Sequence, residues 1–232
     1  MNEIIETAKA TQEIAKTSGK AIDTVNNFGG FISKYIGGSV EQACGIFEDK
    51  LKYMRWENQA NIMLKANKKL EELGQLNPTK TIPLKLAIPL LEYASLEDDN
   101  YLQDLWVNLL VNSSNENNNF SLEKSHINIL EQLTTLEAKI LITIYSNKYK
   151  ENIHYDIETG LLPDAIRYTE QGEGLNDYKG ISNPIDPNST IKLALSNLSR
   201  LQCLNLILTT GEENHSIIHP TLFGAKLYEA IQ

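Results

Sequence analysis

The sequence predicts a mainly α protein, with an N-terminal helical bundle that contains a long helix, followed by a winged-helix-like α+β module with one β-hairpin. Apolar residues recur at helical spacing through most of the 232 residues. One short apolar run near the C-terminal end, interrupted by a Gly-containing turn, is typical of a hairpin. The length suits two small domains, which we place at residues 1–132 and 133–232.

Composition limits the function classes. Hydrophobic residues make up 41% and charged residues 22%, which argues against a disordered chain or a membrane bundle. The net charge of −9 argues against a dedicated nucleic-acid binder. Two cysteines without a CxxC pair predict a reducing compartment, so we expect a cytoplasmic protein, with peripheral association at the inner membrane as an alternative.

The N-terminal elements are predicted as helices separated by glycines. Residues 3–27 carry a heptad-like seam of mostly small residues, which favours one face of a packed bundle. Gly29, Gly30, Gly37, Gly38 and Gly45 are expected to break the helical pattern and to leave a short apolar piece over residues 31–36. A long helix is predicted from about Ser39 to Leu73, with Gly74 at the position that follows its end.

Two further helices follow in the middle of the chain. The apolar stretch 82–95 predicts a helix with Pro83 in its first turn, and Pro89 should kink or divide it. Ser95 is predicted to be the N-cap of the next helix, with Asp98 completing a box-like arrangement. That helix has a predicted buried stripe at Leu102, Leu105, Trp106, Leu109 and Leu110.

The C-terminal third has its own pattern. A capping box at Thr134 and Glu137 predicts a helix, and the glycine- and proline-containing stretch 147–188 predicts one short helix near 163–170. Asn188 then begins a helix, and residues 204–218 form the predicted hairpin before a last helix. The order helix, helix, helix, hairpin, helix favours a winged-helix module.

The sequence contains no catalytic motif, so we expect a protein that is not an enzyme and needs no cofactor or metal. Glu97, Asp98 and Asp99 are explained more simply by the dipole of a helix N-terminus than as paired catalytic carboxylates. His215 and His219 lie four residues apart in a strand region, where that spacing does not converge on a metal.

Two segments leave alternatives open. In the winged-helix module, Lys192 and Arg200 are the candidate nucleic-acid contacts, but the acidic hairpin tip argues against DNA and favours a protein contact. Residues 28–47 carry only two charged side chains. They favour a buried helical hairpin, with a membrane-contacting segment as the alternative. The candidate membrane contacts are Phe28, Phe31, Ile32, Tyr35 and Ile36.

Two blocks resemble the abortive-infection alpha (Abi-alpha) family of bacterial proteins. The first is the predicted long helix around Phe47 to Asn58, and the second runs from Ile82 to Asp99 and continues to Leu110. The resemblance covers about residues 37–145, and the C-terminal part looks like a variable tail. Candidate motif-core or partner-contact residues in these blocks are Tyr53, Arg55, Trp56, Glu97, Asp98, Asp99 and Trp106.

The resemblance implies phage resistance and supplies no catalytic residues. It favours a non-enzymatic defence protein that contacts a protein partner or a second copy of itself. A membrane-active effector using residues 28–47 and a winged-helix DNA-binding regulator remain the alternatives. Lys52 or Arg55 is predicted to pair with the acidic residues of the second block, and Trp56 is predicted to meet Trp106.

Overall fold

The computed structural model describes residues 27–39, 56–118, 120–146, 156–171, 178–179, 184–209 and 212–232. The chain divides into two compact units, Met1–Lys124 and Ser125–Gln232. Eight helices and five short strands lie in the described residues, with all strands in the second unit. The protein is therefore mainly α with a C-terminal α+β module, as predicted.

The described part of the first unit is helical. Its helices are α1 (residues 27–36), α2 (Trp56–Glu72), α3 (Leu84–Leu96) and α4 (Asn100–Ser113). The core lies between them and contains every residue of the predicted stripe on α4: Leu102, Leu105, Trp106, Leu109 and Leu110 are all buried.

The end of α2 confirms the predicted glycine stop. Gly74 has a φ of +70°, in the left-handed region that favours glycine. The Gly74 N–H donates to the Glu71 carbonyl at 2.9 Å, and the Gln75 N–H donates to the Leu70 carbonyl at 2.8 Å. These two bonds form a Schellman motif, which satisfies carbonyls that the helix itself leaves unpaired. Ser39, the predicted start of this helix, is described and is not helical, and residues 40–55 of the predicted helix lie outside the described residues.

Two local predictions in the first unit are wrong, those for Gly29 and Gly30 and for Ser95. Gly29 and Gly30 lie inside α1 instead of breaking it. Pro89 lies within the single helix α3, so it does not divide the helix and the alternative of a kink stays a prediction; Pro83 is the N-cap of that helix. Ser95 belongs to the last turn of α3, and Asp99 is the N-cap of α4. The predicted helix over residues 3–27 lies outside the described residues apart from its last position.

The second unit combines four helices with one antiparallel sheet. The helices are α5 (Lys124–Leu130), α6 (Thr135–Ser146), α7 (Ser189–Arg200) and α8 (Leu222–Ile231). The strands are β1 (Asp156–Glu158), β2 (Arg167–Gln171), β3 (Tyr178–Lys179), β4 (Leu204–Thr209) and β5 (Glu212–Pro220), and their order in the sheet is β3-β2-β1-β5-β4.

The predicted helix starts of this unit are confirmed. The Thr134 N–H donates to Glu137 Oε2 at 2.7 Å, and the Glu137 N–H donates to Thr134 Oγ1 at 3.3 Å, which is a complete capping box before α6. Asn188 Oδ1 accepts from the Ile191 N–H at 3.0 Å and caps α7.

The sheet is larger than predicted. The hairpin β4–β5 is present, but β1, β2 and β3 were not predicted. The short helix expected near 163–170 is wrong, because Arg167–Gln171 is strand β2, which pairs antiparallel with β1. The pairing of β1 with β5 joins the two parts into one sheet.

The hydroxyl of one buried tyrosine links three segments of the second unit by hydrogen bonds. Tyr145 on α6 donates to the Cys203 carbonyl at 2.5 Å and accepts from the Thr221 N–H at 2.9 Å. It thus ties α6 to the residues that precede β4 and α8. Gly224 passes so close to this hydroxyl that an added Cβ would collide with it and with the Cys203 carbonyl.

Candidate functional site

The acidic residues of the second motif block form the connection between α3 and α4. Asp99 Oδ1 accepts from the N–H groups of Tyr101 and Leu102 at 2.8 and 3.1 Å. Glu97 Oε1 accepts from the Asp99 N–H at 2.9 Å. These carboxylates satisfy backbone donors at a helix start, where negative charge is also favoured by the helix dipole. Their arrangement is that of a cap.

Asn58 on α2 fastens this connection to the neighbouring helix. Its Nδ2 lies 3.0 Å from the Ser95 carbonyl, 3.1 Å from the Glu97 carbonyl and 3.1 Å from Asp98 Oδ1. Asn58 is buried, so its amide hydrogens form hydrogen bonds with these acceptors and not with water. The first motif block therefore holds the second in place through a polar contact. We call Asn58 and residues 95–99 the junction.

Two glutamines are buried on the same helices. The side chains of Gln59 on α2 and Gln103 on α4 are almost fully buried. Gln103 Nε2 makes a long contact of 3.4 Å with the Glu97 carbonyl, and the Oε1 atoms of both glutamines have no hydrogen-bond partner among the described residues. Buried acceptors without donors are unfavourable.

Trp106 and an ion pair flank the junction. Trp106 is 1% exposed and stacks on Tyr93 of α3, with ring centroids 6.0 Å apart. Lys65 Nζ lies 2.7 Å from Asp104 Oδ1 and donates to the Asn100 carbonyl at 3.2 Å. Both contacts join neighbouring helices of the first unit, so Trp106 belongs to the core.

The remaining motif candidates are only partly placed. Tyr53 and Arg55 lie outside the described residues, and for Trp56 the structure describes the backbone at the start of α2. The pairing of Lys52 or Arg55 with the acidic residues, and the contact of Trp56 with Trp106, stay predictions.

The candidate membrane residues lie on α1. Four of them, Phe28, Phe31, Ile32 and Tyr35, are buried, and Ile36 is partly exposed. The rings of Phe31 and Tyr35 are 4.9 Å apart, and the Tyr35 carbonyl accepts from the Ile82 N–H at 2.7 Å. Burial raises the pKa of the Tyr35 hydroxyl. In this structure the apolar face of α1 is part of a protein core.

None of the described helices combines the length and apolarity needed to cross a membrane.

The two candidate nucleic-acid contacts on α7 are engaged with protein groups. Lys192 Nζ lies 2.5 Å from Asp186 Oδ2, and Arg200 Nη1 donates to Gln132 Oε1 at 3.2 Å. The hydrogen bond from Lys192 holds the pKa of Asp186 below its usual range, and a bond from the Ser216 hydroxyl adds to this effect. A phosphate would have to compete with Asp186 for Lys192.

Two histidines of β5 have side-chain partners that lie far away in sequence. His215 Nε2 lies 2.8 Å from Ser196 Oγ, and His219 Nδ1 lies 2.9 Å from Asp156 Oδ1. Sequence reasoning missed both pairs. Among the described residues, no three His, Cys, Asp or Glu side chains are grouped closely enough to hold a metal ion.

The Ser196–His215 pair resembles a nucleophile and its base, but the described residues do not supply the third partner of a triad. In a triad the acid holds the second ring nitrogen and fixes the tautomer. Here Glu213 Oε2 lies 3.8 Å from Nε2, the same nitrogen that contacts Ser196. Ser196 also lies inside α7, where backbone N–H groups are used by the helix. The geometry favours a packing contact between α7 and β5.

A buried carboxylate anchors the segment that leads into α7. Glu158 is 1% exposed, and its carboxylate contacts Arg167 Nε at 2.8 Å and accepts from the Ile185 N–H at 2.7 Å. Gly160 lies directly against Ile185, so a side chain at that position would collide with it. The negative charge of the buried Glu158 carboxylate is thus paired with the positive charge of Arg167.

Cys203 is the cysteine that the described part of the chain contains, and it is buried. Burial raises the pKa of Cys203 to about 12, which keeps the thiol protonated and unreactive near neutral pH. Cys44, predicted to be a small buried hydrophobe, lies outside the described residues.

Comparison with known proteins gives one finding. A family model described as abortive infection alpha matches residues 57–231. The match begins in α2, includes the junction and extends to residue 231 of the second unit. It therefore corrects the expectation that the C-terminal part is a variable tail. Neither the curated proteins nor the solved structures contain a significant match to the chain.

Proposed function

Because the chain belongs to the abortive infection alpha family, we propose that it is a bacterial anti-phage defence protein that acts through protein–protein contacts and not through catalysis. The single observation that carries the proposal is the family match over residues 57–231, which spans both compact units. The abortive-infection type of role follows from that membership. The mode of action is our inference.

The geometry of the motif supports action by contact. The acidic residues of the junction are used as helix caps and as acceptors for Asn58. Trp106 is packed in the core. These groups stabilise the helical unit, and a stable unit can present a fixed surface to a partner.

The C-terminal unit supports a protein partner in preference to DNA. The sheet order places β5 between β1 and β4, as expected for a winged-helix-like module whose hairpin follows α7. Its two candidate cations are bonded to Asp186 and Gln132, and the exposed Glu213 lies at the hairpin. Affinity for DNA depends strongly on free cations that neutralise phosphates. Salt-sensitive duplex binding that weakens when Lys192 and Arg200 are neutralised would overturn this part of the proposal.

Phage infection of expressing cells tests the proposed function. We expect cultures to survive infection at low multiplicity and to collapse at high multiplicity, because abortive infection sacrifices infected cells before phage is released. Asn61→Ala, an exposed change on α2, is the matched control and should protect as the parent does. Trp106→Ala should lose protection together with folded protein, since it removes a buried aromatic side chain.

Two outcomes of this experiment contradict the proposal. If expressing cells gain no protection from any phage of a broad panel, the chain does not have the proposed defence role. Survival at both multiplicities would indicate direct interference with phage growth instead of abortive infection.

A further inference from the structure

The connection between α2 and α3 exposes apolar side chains to solvent. Leu73 and Leu76 lie in this connection and are 44% and 85% exposed, and Leu84, the first residue of α3, is 43% exposed. Single exposed leucines are common on protein surfaces and need no explanation. Three in one connection form a group whose burial in a complex is favourable, and such groups are typical of interaction sites.

The same part of the chain is positively charged in an acidic protein. Between Glu72 and Glu92 the sequence contains two lysines, Lys80 and Lys85, and no acidic residue, whereas the whole chain has a net charge of −9. Both lysines are exposed, and neither has an ion-pair partner among the residues that the structure describes. Their positive charges are therefore available to a binding partner.

The charges that border the connection balance one another. They comprise three cations and three anions: Lys34, Lys68, Lys69, Glu71, Glu72 and Glu116. Lys68 Nζ lies 3.9 Å from Glu72 Oε1 at the end of α2. The Glu116 N–H donates to Thr79 Oγ1 at 2.9 Å, which places Glu116 beside the connection. The surface thus keeps the net positive charge of its own two lysines.

Lys85 lies at a position where its own helix does not favour a positive charge. It belongs to the first turn of α3, which contains no acidic residue, and the N-cap Pro83 provides no side-chain hydrogen bond. Because a helix N-terminus carries a partial positive charge, a lysine there is unfavourable in the unbound molecule. A carboxylate of a partner would interact favourably with both the ammonium group and the helix dipole.

Hydrogen bonds hold the connection against the end of α4. The N–H groups of Thr79 and Lys80 both donate to the Ser114 carbonyl, at 3.0 and 2.9 Å. Gln75 Nε2 donates to Asn115 Oδ1 at 3.3 Å. Binding to a connection that is already held costs less conformational entropy than binding to a free loop.

We infer that the surface formed by Leu73, Leu76, Lys80, Leu84 and Lys85 binds a segment of another protein that carries both apolar and acidic side chains. We call it the 73–85 surface. The inference deepens the proposed function, on which it rests, by naming the surface that makes the protein–protein contact and the chemistry of its partner. Apolar side chains of the partner would cover the leucines, and its carboxylates would pair with the lysines.

The charge of the 73–85 surface disfavours three other partners. A two-fold contact with a second copy would bring the lysines of both copies together. Duplex DNA is bound by proteins that neutralise many phosphates, and this surface offers two lysines beside three leucines. Segments that bind anionic bilayers typically carry clusters of about four to eight basic residues. An acidic protein segment matches both the small positive charge and the apolar side chains.

A matched pair of synthetic peptides tests the inference. The first is a labelled helical peptide with leucines at helical spacing and glutamates between them, and its twin has glutamine in place of every glutamate. We expect the full chain to bind the glutamate peptide about tenfold or more tightly than the glutamine twin, measured by fluorescence anisotropy. The difference should shrink as salt is added, because exposed charge pairs are screened.

Two substitutions assign the binding to this surface. Leu76→Asp should weaken binding of the glutamate peptide by about tenfold or more, whereas Leu64→Asp, the same change at a leucine of α2 that is 68% exposed, should leave it unchanged. Lys85→Glu should also weaken binding while the Tm stays the same or rises, because the dipole of α3 favours a carboxylate in its first turn. Loss of binding in a variant of undiminished stability cannot result from unfolding.

Several results would overturn the inference. The two peptides could bind equally, neither could bind, or binding of the glutamate peptide could be unaffected by Leu76→Asp and Lys85→Glu. Flotation with anionic vesicles that Lys85→Glu abolishes would identify the surface as a membrane contact. A monomer–dimer equilibrium that Leu76→Asp abolishes would identify a second copy as its partner.

The inference and the proposed function fail separately. A chain that binds the glutamate peptide through this surface but gives no protection from phage removes the defence role and keeps the binding surface. A chain that fails the peptide test, and protects cells equally with and without Lys85→Glu, removes the binding surface and keeps the defence role.

Discussion

Asn58 shows how one buried polar side chain can determine the position of a whole motif. Its amide contacts two carbonyls and one carboxylate of the junction, which are contributed by residues about forty positions later in the chain. A buried backbone carbonyl that loses its hydrogen-bond donor has no water to replace it, so the folded state pays the full desolvation free energy of that carbonyl. The residue is therefore more important for stability than its size indicates.

Replacing Asn58 with alanine should destabilise the first unit by roughly 1–3 kcal/mol, because buried acceptors would be left unpaired. Chemical denaturation followed by circular dichroism measures the change. Asn61→Ala on the same helix gains the same helix propensity at an exposed position and should not destabilise the protein. Equal effects of the two substitutions would show that the contacts of Asn58 contribute nothing.

Asp186 and Lys192 give a residue-scale prediction about pH. Because the folded pKa of Asp186 is lowered, mainly by its hydrogen bond with Lys192, the carboxylate stabilises the folded state above the unfolded pKa. That contribution is lost as the pH falls through the folded pKa. Lys192→Met should move the carboxyl titration of Asp186, followed by NMR, towards the usual range.

Lys226→Met is the control for this titration, since Lys226 pairs with Glu229 on α8 and is not among the groups that shift Asp186. A titration of Asp186 that is the same with and without Lys192 would show that the ion pair is absent in solution.

At the scale of elements, the start of α4 distinguishes between two capping residues. The sequence predicts Ser95 as the N-cap, with Asp98 completing a box-like arrangement. In the structure the Asp99 carboxylate caps the helix, while Ser95 Oγ donates to the Glu92 carbonyl inside α3. The choice is made by packing, because α3 continues through Leu96 and the Asn58 contact holds the connection after it.

Asp99→Ala should therefore lower stability by about 1 kcal/mol, the usual cost of removing a cap. Ser95→Ala should have a smaller effect, since alanine is the better helix former and the lost bond is local. Thermal unfolding of the two variants side by side measures the difference. A larger loss of stability for Ser95→Ala than for Asp99→Ala would indicate that Ser95, the residue predicted from the sequence, is the N-cap.

Elements were predictable where their signals are local. The capping box of Thr134 and Glu137, the cap at Asn188 and the glycine stop at Gly74 each lie within a few residues of the helix end that they define. The stripe on α4 was predictable for a similar reason, because helical spacing alone places its residues on one face.

Elements that depend on distant partners were not predictable. Strand β1 has three residues, Asp156 to Glu158, with an acid at each end and no alternating apolar pattern. It exists because it pairs with β2 and β5. The contact of His219 with Asp156 joins positions 63 residues apart, so no spacing rule could indicate it. The helix through Gly29 and Gly30 shows tertiary packing overriding helix propensity.

At the scale of the whole molecule, the family match includes residues of both units, whereas the sequence predicted a motif domain followed by a variable tail. The match runs from residue 57 to residue 231 and so includes the junction, α7 and the β4–β5 hairpin. The family model therefore describes the combination of a helical unit with an α+β unit. Experiments on function should use the full chain.

The membrane alternative gives the last prediction, because it requires the first unit to open. The aromatic residues of α1 are buried, and the Ile82 N–H is bonded to the Tyr35 carbonyl. Transfer of α1 to a bilayer would break this bond and expose the apolar surface that α1 now covers. We therefore expect purified protein neither to float with anionic vesicles nor to release an enclosed dye. Leakage by the purified chain, abolished by Phe31→Asp in a variant that still unfolds cooperatively, would show that α1 leaves the core and that the membrane alternative is correct.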